Sequence, residues 1–157
     1  MKLKKVFLIL ICVFLVVSCS KKDKGTNSTP DPTEEIKNRV EKLYTDWARF
    51  SRLHAYSSML SLVVPNSNFE GMSNTCNEQW GRGEEFYYVF TSVEVDYVSQ
   101  DPIEMNVHGN WEMHQGPSVP VYKGGFYSNA WPIDGEFEGH NWKLDGMNMN
   151  LDENWWK

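Results

Sequence analysis

The chain is poor in cysteine, in basic side chains over most of its length, and in long apolar runs. Of its three cysteines, Cys12 and Cys19 lie in the first 19 residues and Cys76 stands alone in the body. No pair is left there for an intramolecular disulfide. A lone cysteine is usually a small buried hydrophobe, and Thr75-Cys76-Asn77 carries no Cys-His signature of a nucleophile. From Leu60 onward only Arg82, Lys123, Lys143 and Lys157 oppose 15 acidic residues. Nucleic-acid affinity rests on Lys and Arg neutralising phosphates, so this balance argues against nucleic acid as a partner. It argues equally against adsorption onto anionic lipid. The longest apolar run, Val6 to Val17, has 12 residues, short of the roughly 20 that span a bilayer as a helix. There is no internal repeat.

The N-terminal segment does carry a signal. Lys2, Lys4 and Lys5 precede the apolar run, and Leu15-Val16-Val17-Ser18-Cys19 follows. A basic stretch, a short apolar stretch and a small residue before the cut read as a secretory leader. Ser18-Cys19 with Val at the two preceding positions resembles the bacterial lipobox. The resemblance implies cleavage before Cys19, diacylation of its thiol and acylation of the new amino terminus. Cys12 follows Ile9-Leu10-Ile11, which lacks the small residue. Two or more acyl chains anchor stably, where one is marginal. The expected organisation is a leader over 1–18, a lipidated Cys19 with a tether over 19–31, and one domain over 32–157. The expected location is the cell envelope, membrane-anchored and facing outside the cytoplasm, at the outer membrane if the cell is Gram-negative. Removing Lys2, Lys4 and Lys5 takes the formal charge from −6 to −9. The 12 residues Ser20 to Asp31 hold no large apolar side chain and cannot contribute to a core; as a flexible chain they span roughly 20 Å.

Asp31 can cap a helix, Pro32 suits the first helical position and Glu34 lies three residues past Asp31. Ile36, Val40, Leu43, Trp47 and Phe50 then recur at helical spacing. A second helical pattern runs from Leu53 through Tyr56, Leu60 and Val63 and stops at Pro65. Asn66 to Gly83, rich in Asn, Ser and Gly, reads as a loop with a short helix at Asn77–Trp80. The period then changes to two. Four strands are predicted: Phe86–Val98, Ile103–Met113, Val119–Tyr127 and Glu136–Met149, with bends at Gly124-Gly125, Gly135 and Gly139. In the second, Met105, Val107, Trp111 and Met113 face one side and Glu104, Asn106, His108, Asn110 and Glu112 the other. In the first, Phe86, Tyr88 and Phe90 share one face, and Tyr87, Val89, Val93 and Val95 the other. The fold class is α+β, with N-terminal helices packed on a mainly antiparallel four-stranded sheet.

Tyr44–Phe50, Leu60–Val64, Phe86–Val98, Val107-His108-Gly109-Asn110-Trp111 and Glu138-Gly139-His140-Asn141-Trp142-Lys143-Leu144-Asp145-Gly146 together resemble the NTF2-like (SnoaL-like) superfamily. The resemblance covers Thr33 to Met149. It implies a cone in which a curved sheet wraps the helices around a pocket, lined here by Trp47, Tyr88, Phe90, Trp111 and Trp142. That fold hosts enzymes, ligand binders and dimerisation modules alike. Enzymes of the superfamily use pocket Asp and His residues, and no such pair maps onto this chain. The expected role is therefore non-catalytic: binding a small apolar ligand or a partner protein, with dimerisation through the sheet as a further expectation. An acid–base enzyme of the isomerase or dehydratase type is the alternative.

Histidine and carboxylate pairs occur at strand spacing, His108 with Glu104 and His114 with Glu112. They sit on the polar face without a metal-binding motif, so no metal and no cofactor is expected. Met105, Met113, Met147 and Met149 read as core filler. Glu94 and Asp96 read as a strand leaving the core for solvent. Seven tryptophans are many for this length. Trp47, Trp111 and Trp142 fit core positions, whereas Trp80, Trp131, Trp155 and Trp156 fall in loops or at the C-terminus. Exposed indoles beside Asn and Asp stack on sugars, which makes glycan binding the third reading.

Overall fold

The computed structural model describes residues 32–100, 103–116, 120–136 and 139–151. The leader, Cys19, the tether, and Trp155 and Trp156 lie outside the described residues. Helix α1 spans Pro32–Arg52 and buries Ile36, Val40, Tyr44, Trp47 and Ala48, the stripe that the three-and-four spacing requires. It ends in a Schellman turn. The Ala55 N–H donates to the Phe50 carbonyl at 2.9 Å and the His54 N–H to Ser51 at 3.3 Å. His54 takes the left-handed conformation that this turn needs, at φ 54°. The turn stops the chain from running on as a long second helix. The pattern predicted from Leu53 to Val63 shortens to α2, Tyr56–Leu60.

The segment expected to be a loop is a 14-residue helix, α3, Asn68–Gly81. Ser67 caps it, its side chain accepting from the Glu70 N–H at 3.2 Å, while the Glu70 carboxylate reaches back to the Asn66 N–H. This is a variant of the capping box, shifted by one residue. Phe69, Ser73 and Cys76 form its buried face. The composition suggested a loop, but the cap and this buried stripe outweigh weak helix propensity.

The sheet is a simple antiparallel meander in the order β1-β2-β3-β4. Its strands are β1 Phe86–Gln100, β2 Ile103–Gln115, β3 Pro120–Pro132 and β4 Trp142–Leu151. β3 is longer and β4 shorter than predicted. Gly124 and Gly125 pair with Trp111 and Asn110 within the ladder, without a register shift at either. The reversal comes later, where Gly135 takes φ 73°. The edge of β4 is partly covered: the Val64 N–H donates to Leu144 at 2.8 Å and the Leu144 N–H to Leu62 at 2.9 Å. No helix among the described residues is long and apolar enough to cross a membrane.

Strand β1 corrects the predicted facing. A bulge between Phe90 and Ser92 shifts the register, so that Phe86, Tyr88 and Phe90, and then Val93 and Val95, all join the core. An extra residue flips the alternation, so Val93 and Val95 join the face of Phe86, Tyr88 and Phe90, while Tyr87 and Val89 stay on the other. Gly109 pairs with Val93 just beyond this bulge. A Cβ there would lie 2.1 Å from the Ser92 carbonyl oxygen and 2.8 Å from the Phe126 ring. Glycine is required by the close approach.

Aromatic rings fill the space between helices and sheet. Tyr44 stacks on Phe126 at 5.7 Å and meets Phe69 and Phe90 edge-on at 5.6 and 5.5 Å. Trp47 meets Phe69 at 5.2 Å, and Phe90 meets Phe126 at 5.0 Å. Ring pairs at these separations add about 0.5–1.5 kcal/mol each beyond the area they bury.

Candidate functional site

Among the described residues, the buried polar residues are Ser51, Ser73 and Ser128, and each is saturated; the buried Nδ1 of His114 has no hydrogen-bond partner. Ser51 Oγ donates to Ala48 and accepts from the Tyr88 N–H. Ser73 Oγ donates to Phe69 and accepts from Trp47 Nε1. Ser128 Oγ donates to Gly146 at 2.5 Å and accepts from the Tyr44 hydroxyl at 2.7 Å. A hydroxyl committed at both ends has no free base to activate it. Burial raises the pKa values of Tyr44 and Tyr88 above the usual phenol range, so both stay protonated. Burial also pushes the Cys76 thiol up to about 12. It remains a neutral core group, not a nucleophile.

Of the five residues expected to line a pocket, Trp47, Tyr88 and Trp142 are buried and Phe90 is half-buried in the same cluster. Trp111 is buried too, its Nε1 donating to the Gly125 carbonyl at 3.1 Å. The structure brings the five together as packed core. Only Trp111 borders one of the described clefts.

Those clefts draw on the sheet residues that alternate with the core positions. One, about 450 Å³, is floored by Gly124 and Gly125 and bordered by Thr91, Asn110, Glu112 and Lys123. The small residues leave a notch where larger side chains would stand. Beside it, Glu112 lies 3.0 Å from His114 Nε2, and the His114 ring stacks on Tyr87 at 4.8 Å. The other cleft, about 350 Å³, is lined by Asn68, Asn106, Tyr127, Asn129, Asn148 and the backbone around Gly146. Tyr127 is 62% exposed and tilts toward the His108 ring, 6.3 Å away. His108 is held in turn by Asp96 at 2.7 Å and faces Glu94 at 3.7 Å.

Glu94 and Asp96 thus stand on the solvent side as expected. His108 and His114 each meet carboxylates, but no group of three or more His, Cys, Asp or Glu among the described residues could hold a metal ion. Trp80 is not free for stacking. Its Nε1 donates to the Phe86 carbonyl at 2.7 Å and its ring lies against His54. The cleft residues that sequence reasoning did not single out are Asn68, Tyr127, Asn129 and Asn148. The available signal was the alternation of Asn148 and Asn150 with Met147 and Met149.

No protein-family profile matches the chain, and no curated protein does. Solved structures match by shape. The β subunit of the benzoate 1,2-dioxygenase from Burkholderia mallei superposes with a TM-score of 0.52 at 14% identity, covering 73% of this chain and 89% of its own. The β subunit of a putative aromatic-ring-hydroxylating dioxygenase from Novosphingobium aromaticivorans gives 0.57 at 9% identity, covering 78% and 92%. Both have the NTF2-like fold. Helices followed by a curved four-stranded antiparallel sheet make this domain an NTF2-like α+β cone as well. At such identities the likeness concerns the fold alone.

Proposed function

We propose that the chain is an extracytoplasmic lipoprotein, tethered to the membrane through Cys19, whose NTF2-like domain is a non-catalytic binding module. The observation that carries the binding role is the ring-packed interior. Aromatic rings meet at the centre of the cone, and the buried polar residues among the described ones are three saturated serines, while the buried Nδ1 of His114 lies beside the sheet cleft rather than among these rings. Acid–base catalysis in such a pocket needs a carboxylate or imidazole within reach of the substrate. Binding then falls to the polar clefts of the sheet, where amide, hydroxyl and aromatic groups are exposed. The tether reading rests on Leu15-Val16-Val17-Ser18-Cys19 after the short apolar run. The charge of the domain agrees with it, since an acidic surface is not drawn to anionic lipid and needs covalent anchoring.

Metabolic labelling with palmitate tests the tether. The wild-type chain should take up label and fractionate with membranes, and Cys19→Ala should do neither. Label retained by Cys19→Ala would overturn the reading.

A further inference from the structure

We infer that the asparagine-lined cleft beside Tyr127 binds a neutral saccharide; this rests on the domain being a binding module and names the class of ligand it takes. The side chains lining the cleft include four carboxamides, Asn68, Asn106, Asn129 and Asn148, and one tyrosine, with no Lys, Arg, Asp or Glu among them. An anion would find no cation there, and the chain's formal charge of −6 repels it further. A cation would find no carboxylate. An apolar ligand would strip water from several amides without replacing their hydrogen bonds, which is costly. A neutral polyhydroxylated ligand pairs with all of them.

Two of the amides are already oriented. Asn129 Oδ1 accepts from the Gly146 N–H at 2.7 Å, which leaves its NH₂ as donor. Asn68 Nδ2 donates to the Met147 carbonyl at 2.7 Å, which leaves its oxygen as acceptor. Backbone partners fix both amide orientations, so a donor and an acceptor are presented before any ligand arrives. Preorganisation of this kind lowers the ordering cost of binding. Asn106 and Asn148 are exposed. The ring of Tyr127 is 62% exposed beside them. It offers a flat apolar face of the kind that packs against the C–H face of a pyranose, with a hydroxyl at its rim. The ring is braced from one side by His108, itself held by Asp96 at 2.7 Å. The cleft's volume of about 350 Å³ falls in the roughly 300–1,000 Å³ range of small-molecule sites.

The test uses the full lipidated chain in nanodiscs, which avoids glycoside detergents. Neutral trisaccharides of glucose, xylose, mannose and N-acetylglucosamine are titrated singly by calorimetry, with trigalacturonate as the acidic control. At least one neutral trisaccharide should bind saturably and trigalacturonate should not. Tyr127→Ala should weaken that binding roughly tenfold, and Asn148→Ala roughly three- to tenfold. Both positions are exposed, and near-UV circular dichroism checks that the variants keep the native packing. Ile133→Ala, in the β3–β4 connection, should bind like wild type. The absence of saturable binding by any of the four neutral sugars would overturn the proposal, as would binding that neither Tyr127→Ala nor Asn148→Ala weakens. Chromatography of the titrated samples separates this from the non-catalytic reading. Shortened sugars together with variant-sensitive binding would uphold the site and overturn that reading instead.

Discussion

Cys76 shows how burial alone settles the chemistry of a single residue. Its side chain is wholly enclosed, and desolvation raises its pKa from the ordinary 9.0 to about 12. Below pH 9.0 both the folded and the unfolded chain keep the thiol proton, and the group adds no pH dependence. Between 9.0 and about 12 the unfolded chain loses the proton and the folded chain keeps it. The unfolded state then binds fewer protons, so stability falls as pH rises through this window. Tyr44 and Tyr88, also raised by burial, act in the same direction at higher pH. Urea denaturation at about pH 8 and about pH 11 should show the wild type losing about 2 kcal/mol more than Cys76→Ala does across that interval. Equal losses in the two proteins would mean that the thiol is solvated. The free-cysteine count made a buried thiol the default expectation. The enclosure itself comes from α3, which that reading did not contain.

At the scale of the element, α3 is the main departure from expectation, and its cap is the part that can be tested. Ser67 and Glu70 satisfy N–H groups at the start of the helix, and such groups have no partner within the helix. Ser67→Ala should cost about 0.5–2 kcal/mol in chemical denaturation. Ser67→Asp should restore most of it, because the carboxylate can accept the same bond and complements the helix dipole. A loss that Asp does not recover would point to packing rather than capping. The signal was present as Ser67-Asn68-Phe69-Glu70, followed by Phe69, Met72, Ser73, Cys76 and Trp80 at helical spacing. It was hidden by the Asn, Ser and Gly content of the segment. α1 had no such conflict, since its cap signals, propensity and apolar stripe agree. In β1 the alternation was legible on both sides of Thr91, but the bulge that joins the two halves was not. A bulge is fixed by pairing with β2 and leaves no mark in the composition of β1.

For the whole molecule, the core among the described residues draws on all three helices and all four strands. Ser20 to Asp31 hold no large apolar side chain to add to it. A chain starting at Asp31 should therefore fold by itself. Circular dichroism should show mixed helix and sheet with one cooperative thermal transition. A broad, non-cooperative melt would mean that the preceding residues or an obligate partner complete the core. The same packing explains why the interior holds rings where the NTF2-like resemblance implied a pocket. Tyr44, Trp47, Phe69, Phe90 and Phe126 converge from two helices and two strands, with ring centroids 5.0 to 5.6 Å apart.

Local patterns in the sequence were enough for the α+β class, the apolar stripe of α1, the alternation of β2 and the expectation of a membrane tether at Cys19. Each of these depends on neighbours within a turn or two of the chain. The candidate site is of another kind. Asn68, Asn106, Tyr127, Asn129 and Asn148 come from one helix and three strands and meet through the registers of β2 with β3 and of β3 with β4. The β3–β4 ladder slips between Ser128 and Ala130, and that slip brings the Asn129 amide onto the Gly146 N–H. Register is a property of paired strands, so the tertiary structure alone decided where these amides converge.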